Sequence, residues 1–129
     1  MAIKSARCAI PSLLYFAKAT SLYIYALKEN KRPGQDTQLY HAPFHNIYHE
    51  GNVCMGNVTV NRIKKLRSVD AKITAWEQSF FGSIFTSHGS VNYPGDILKL
   101  YKSLEKSKKD FPVENMMEFG KTLKDILHE

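Results

Sequence analysis

Two short runs rich in aromatic and aliphatic side chains stand near the start of the chain, Ser12 to Lys18 and Ser21 to Lys28, with only Ala19 and Thr20 between them. Runs of that length and composition predict a pair of strands joined as a hairpin. The cluster Asn30, Pro33, Gly34 and Asp36 predicts a turn, and Thr37 to His41 a third strand. Pro43 cannot donate to a sheet ladder, so that strand is not expected to run on through the centre of a sheet. From Ala42 to Val60 neither period is sustained, although Phe44, Ile47, Tyr48, Val53, Cys54, Met55 and Val58 all fall there. A segment both irregular and this apolar is expected to lie against the core. Such anchored loops carry function more often than regular elements do, so the chemistry is sought here first.

The period then changes. Ile73, Trp76, Phe80 and Ile84 recur at spacings of three and four with Phe81 and Phe85 beside them, predicting a helix with a broad buried face that stops near Ser87 to Gly89. A second helix is predicted over Asp96 to Lys108, with Ile97, Leu100, Tyr101 and Leu104 inward. A third is predicted over Pro112 to His128, with Asp110 placed to cap, Pro112 in the first turn, and Met116, Phe119, Leu123, Ile126 and Leu127 as its apolar stripe. Strands, an irregular segment, then about three helices predict an α+β domain with the helices on one side of a small antiparallel sheet.

A length of 129 residues suits a single domain, 1–129, with one core. Lysine and arginine exceed aspartate and glutamate by 18 to 12, a net charge of +6. That favours an acidic partner or a phosphate backbone, yet the charges sit where solvated helix faces are expected, at Lys99, Lys102, Lys106, Lys108, Lys109, Lys121 and Lys124. No arginine-rich run or interleaved aromatic motif marks a nucleic-acid groove, so nucleic acid is not an expected partner. The two cysteines, Cys8 and Cys54, stand in dissimilar contexts. Counting leaves a single disulfide open, but no signal peptide opens the sequence and no run approaches a membrane span. The expectation is a cytoplasmic protein with free thiols, no membrane association, Cys8 structural and Cys54 reactive.

Cys54 closes the stretch Phe44-His45-Asn46-Ile47-Tyr48-His49-Glu50-Gly51-Asn52-Val53-Cys54. The stretch resembles the active-site segment of ubiquitin-conjugating (E2) enzymes, in which His-Pro-Asn-Ile is followed by a glycine, any residue, Ile or Val, and the catalytic cysteine. Asn46, Ile47, Gly51, Val53 and Cys54 fall in step. A bacterial branch, prokaryotic E2 family D, the E2-like domain of the PRTRC-system B proteins, is similar over about residues 12–90. Leu39 to Phe44, Asn46 to Tyr48, Gly51 to Asn57 and Trp76 to His88 carry that similarity. Phe44 and His45 stand where the usual pattern has His-Pro. The bacterial branch is described as using a histidine after the cysteine instead, here His88 or His128, of which His88 lies within the motif. The chain also begins too late for the usual N-terminal helix and first strand.

The resemblance implies a UBC-like fold and a bacterial E2-like conjugating enzyme that carries a ubiquitin-like modifier as a thioester on Cys54. Asn46 would donate to the oxyanion and His88 would handle the proton of the attacking amine. It further implies an E1-like (ThiF-type) activating enzyme, the ubiquitin-like modifier and a JAB-family peptidase as partners. No cofactor is needed at Cys54, because ATP would be consumed by the E1-like partner. The residues keep other roles open. Asn46 also suits a backbone bond in a turn, and His88 suits the last carbonyls of a helix, whereas glycines 51 and 56 on either side of Cys54 would let another backbone approach, which suits a modifier tail. A non-catalytic E2-like adaptor is one alternative. Another is a zinc site built from His41, His45, His49 and Cys54, in which the histidines recur every four residues. Elemental analysis of the purified chain separates these: no stoichiometric zinc is expected, and one zinc per chain would contradict the thioester chemistry.

Overall fold

The computed structural model describes residues 9–18, 21–44, 47–53, 65–68, 71–72, 74–75 and 93–128. Strand β1 (Ser12–Lys18) pairs antiparallel with β2 (Ser21–Leu27) along its whole length, from Ser12 opposite Leu27 to Lys18 opposite Ser21. Strand β3 (Gln38–His41) pairs with the C-terminal half of β2, Tyr25 facing His41 and Ala26 facing Tyr40. These three strands match the expected pattern. The turn before β3 is closed by reciprocal bonds between Gly34 and Thr37: the Gly34 N–H donates to Thr37 Oγ1 and the Thr37 N–H to the Gly34 carbonyl.

Helix α1 (Ile97–Ser107) follows the sequence pattern closely. Asp96 caps it by accepting from the Lys99 N–H, and Lys108 ends it in the left-handed conformation, its N–H returning to the Leu104 carbonyl. Ile97, Tyr101 and Leu104 form the buried face. Of the helix expected around Ile73 to Ile84, the described residues Ala71, Lys72, Thr74 and Ala75 are helical, with Ser68 Oγ accepting from the Ala71 N–H. Ile73, Trp76, Phe80, Phe81, Ile84 and Phe85 lie outside the described residues.

The C-terminal segment departs from expectation. Instead of one helix over Pro112 to His128, the chain forms a 3-10 turn (Val113–Asn115), strand β4 (Glu118–Thr122) and a short helix α2 (Leu123–Leu127). Two local features explain the change. Gly120 takes φ +87, a conformation incompatible with a helix interior. Thr122 and Asp125 form a reciprocal capping box that starts a new helix at Leu123 rather than continuing an old one. The spacing of Met116, Phe119, Leu123 and Ile126 mimics a helical stripe because strand and helix abut. Asp110 caps nothing, and the N-cap position of the 3-10 turn is Pro112 with no side-chain bond.

β4 lies antiparallel to β3, giving the strand order β1-β2-β3-β4. Gln38 faces Thr122 and Tyr40 faces Glu118, so three residues of β4 oppose Leu39 alone. Gly120 sits in this bulge, which keeps Phe119 directed at the sheet. The first two helical N–H groups of α2 donate to the Thr37 and Gln35 carbonyls, tying the C-terminus to the loop before β3.

Helices therefore pack on both faces of the sheet, not one. Leu22, Ile24 and Ala26 pack with Ile97, Tyr101 and Leu104 of α1, while Tyr25 and Leu27 on the opposite face pack with Leu39 and Ile126 of α2. Burial on both sides explains why β2 from Leu22 onward shows no in-out alternation. The stretch after β3 lies against the first face as expected: Ala42, Pro43, Phe44 and Ile47 are buried. Phe44 stacks on Tyr101 at 6.1 Å, and Tyr101 Oη donates to the Pro43 carbonyl at 3.0 Å. Tyr101→Phe would leave that buried acceptor without this donor and is expected to cost about 1–3 kcal/mol. A urea midpoint equal to that of the parent protein would contradict the assignment.

Candidate functional site

Within the stretch singled out by its chemistry, residues 47–53 form a small hairpin on β2. Ile47 bridges Val53, the Tyr48 N–H donates to the Asn52 carbonyl, and the Gly51 N–H closes the turn on the Tyr48 carbonyl. A short connection ending in a left-handed glycine is a common hairpin solution, and Gly51 has φ +94. The returning arm then pairs with β2, Asn52 facing Tyr23: the Ile24 N–H donates to the Gly51 carbonyl and the Val53 N–H to the Leu22 carbonyl, both at 2.9 Å. β1 occupies the other edge of β2, so the hairpin takes the same edge that β3 holds two residues further on.

Tyr25 locks this hairpin in place. Its hydroxyl donates to the Glu50 carbonyl at 3.1 Å, and its ring lies so close to Gly51 that a Cβ there would stand 2.5 Å from Tyr25 Cε1. Tyr25 in turn packs on Phe119 of β4 at 4.9 Å between ring centroids. The close approach that glycine permits at position 51 is thus taken up by the protein's own Tyr25, not left open for a partner backbone. Gly56 lies outside the described residues. Sequence reasoning missed Tyr25 because nothing adjacent to it suggests a site; its role arises from the pairing of β2 with a hairpin some 25 residues away.

His41 and His49 also meet here. Their rings stand 4.9 Å apart at 39°, with Phe119 edge-on to His41 at 5.3 Å. His41 is only 4 % exposed. Burial first, and the neighbouring His49 second, hold its pKa below the ordinary imidazole value, with Glu50 pulling weakly the other way. Of the four zinc candidates, the structure brings together His41 and His49, as tilted rings with centroids 4.9 Å apart; His45 and Cys54 lie outside the described residues. Among the described residues no group of three or more His, Cys, Asp or Glu side chains is arranged to hold a metal ion.

Asn46, Cys54 and His88 lie outside the described residues, as does Cys8. Two of them are chain neighbours of anchored positions: Asn46 precedes Ile47 and Cys54 follows Val53, the two residues that bridge one another. His128, the other histidine considered, is exposed at the end of α2.

A four-stranded antiparallel sheet flanked by helices, with a cysteine next in the chain after a hairpin clamped to the second strand, defines an α+β domain compatible with the E2-like class. The family model of prokaryotic E2 family D matches residues 1–119, and the chain belongs to that family. No curated protein and no solved structure matches it. Among the described residues no helix is long and apolar enough to cross a membrane.

Two outcomes follow from the clamp. Gly51→Ala places a side chain both at a left-handed φ and against the Tyr25 ring, so it is expected to cost at least about 1–3 kcal/mol. The double variant with Tyr25→Ala should lose less than the sum of the two single changes; strict additivity would contradict direct contact. The lowered pKa of His41 means that the folded chain binds this proton less readily than the unfolded chain, whose imidazole titrates near 6.5. Stability is therefore fully present above that value and is lost as pH falls through it towards the lowered folded pKa. Unfolding midpoints measured from about pH 7 to 5 should decline less steeply in His41→Gln, and an unchanged slope would contradict the assignment.

Proposed function

We propose that this chain is a bacterial E2-like conjugating enzyme in which Cys54 carries a ubiquitin-like modifier as a thioester and passes it to an amine. Membership of prokaryotic E2 family D supports the E2-like role. The single structural observation that carries the assignment to Cys54 is the clamped Ile47–Val53 hairpin, which gives the segment next to the cysteine a rigid footing on β2. A nucleophile is useful only if the reacting carbonyl is met in a fixed geometry, and anchoring the chain one residue away is the means available here.

The chemistry runs in two acyl transfers. The Cys54 thiolate attacks the C-terminal carbonyl of a modifier held by an E1-like enzyme of the ThiF type, displacing that enzyme's thiolate. An amine then attacks the new thioester, expelling the Cys54 thiolate and giving up a proton as the amide forms. Asn46 is assigned to the developing oxyanion, where one donor elsewhere contributes about 3 kcal/mol, and His88 to the amine proton. A JAB-family peptidase is proposed as the enzyme that processes the modifier.

Reconstitution with the E1-like enzyme, modifier and ATP tests this. The native protein is expected to form an adduct that thiols cleave, Cys54→Ser none that is thiol-labile, and Asn46→Ala to discharge at a rate reduced by about 100-fold or more. A native protein that forms no thiol-labile adduct would leave the family fold serving as a non-catalytic adaptor.

A further inference from the structure

We propose that the outer face of α1 is a docking surface for the phosphate backbone of double-stranded nucleic acid. At 100° per residue, Lys99, Lys102 and Lys106 share one face of the helix, opposite the buried Ile97, Tyr101 and Leu104. All three are exposed, and the exposed Lys108 and Lys109 continue the cationic run just past the helix end. None of the five forms an ion pair; among the described residues the ion pair is Lys31–Glu29, elsewhere on the surface.

Helix stability does not account for this placement. Lys99 lies in the first turn, where the helix dipole disfavours a cation; the N-cap Asp96 carboxylate, which accepts from the Lys99 N–H, offsets part of that cost, and no acidic side chain lies within the turn itself. Lys102 and Lys106 are four apart on the helix, a like-charge spacing that destabilises it. Lys106 and Lys108 alone sit where the dipole favours them. The fold thus maintains a row of cations at a small local cost, which is what a surface retained for an anionic partner would show.

The make-up of the row selects among polyanions. Protein interfaces are depleted in lysine and centre on aromatic or arginine anchors. The large exposed apolar side chains of the described residues are Ile10, Tyr48, Met117 and Leu127, none of them on α1. Phosphate contacts need only cations, and Lys99 to Lys106 spans about 10 Å of helix axis, about three rises of 3.4 Å along one strand of a duplex. With no arginine and no stacking aromatic in the row, binding would be to backbone and indifferent to sequence. The absence of a base-reading motif is consistent with that.

Fluorescence anisotropy of the full chain with a random-sequence DNA duplex tests the proposal. If all five lysines contact phosphate, raising salt from about 50 to 200 mM should weaken binding about 500-fold, and the slope of log affinity on log salt should be about −4.5. The triple variant Lys99→Gln, Lys102→Gln, Lys106→Gln should bring that slope to about −1.8 while melting no lower than the native protein, which separates lost binding from lost folding. No binding at the lower salt, a slope unchanged in the triple variant, or tighter binding to poly-glutamate than to the duplex would overturn it, the last by pointing to an acidic protein instead.

Discussion

Every peptide group along a buried strand needs a hydrogen-bonding partner on one edge or the other, and β2 satisfies its two edges unequally. One edge is held by β1 throughout. The other is divided: β3 pairs at Tyr25 and Ala26, and where β3 has ended, the 47–53 hairpin pairs at Tyr23. Because His41 closes β3 and Pro43 cannot extend it, the chain has to leave the edge and come back. The returning arm fills the vacated positions through the carbonyls of Leu22 and Gly51. The segment beside the candidate nucleophile is thus part of the sheet's own hydrogen bonding and not a loop laid over it.

That arrangement explains why both faces of β2 are buried. On the first, α1 covers Leu22, Ile24 and Ala26 and reaches the start of the irregular stretch through the bond from Tyr101 to Pro43. On the second, Tyr25 stands between Gly51 of the hairpin and Phe119 of β4. The bulge opposite Leu39 and the left-handed Gly120 belong to the same construction, since they let β4 follow β3 while presenting Phe119 to Tyr25 and His41. His41, its pKa lowered by burial, packs beside His49 and Phe119. Backbone pairing, aromatic packing and glycine conformation converge on the same few residues before Cys54.

Elements whose signals are local were legible from the amino-acid order. The β1–β2 hairpin, β3, and α1 with its Asp96 cap each rest on contacts within or next to the segment. The C-terminal segment was not, because a strand running directly into a helix places Met116, Phe119, Leu123 and Ile126 at spacings a single helix would also produce. Gly120 and the Thr122–Asp125 box were the available signs of a break. The 47–53 hairpin had a sign as well, a glycine closing a short connection between Ile47 and Val53, but too few residues to sustain an alternating period. Tyr25 had none: its part in holding the site depends on a pairing across the sheet that no local pattern encodes. Asn46 and Cys54 were identified by their chemistry and their likeness to a family, and the structure contributes the anchoring of their neighbours Ile47 and Val53.

The account turns on where the modifier is held. After incubation with the E1-like enzyme, modifier and ATP, the adduct should be digested without reducing agent and its peptides mapped by mass spectrometry. The account predicts the modifier's C-terminal residue on Cys54, with Cys8 and the lysines unmodified at early times. A modifier found first on Cys8 or on a lysine would contradict it.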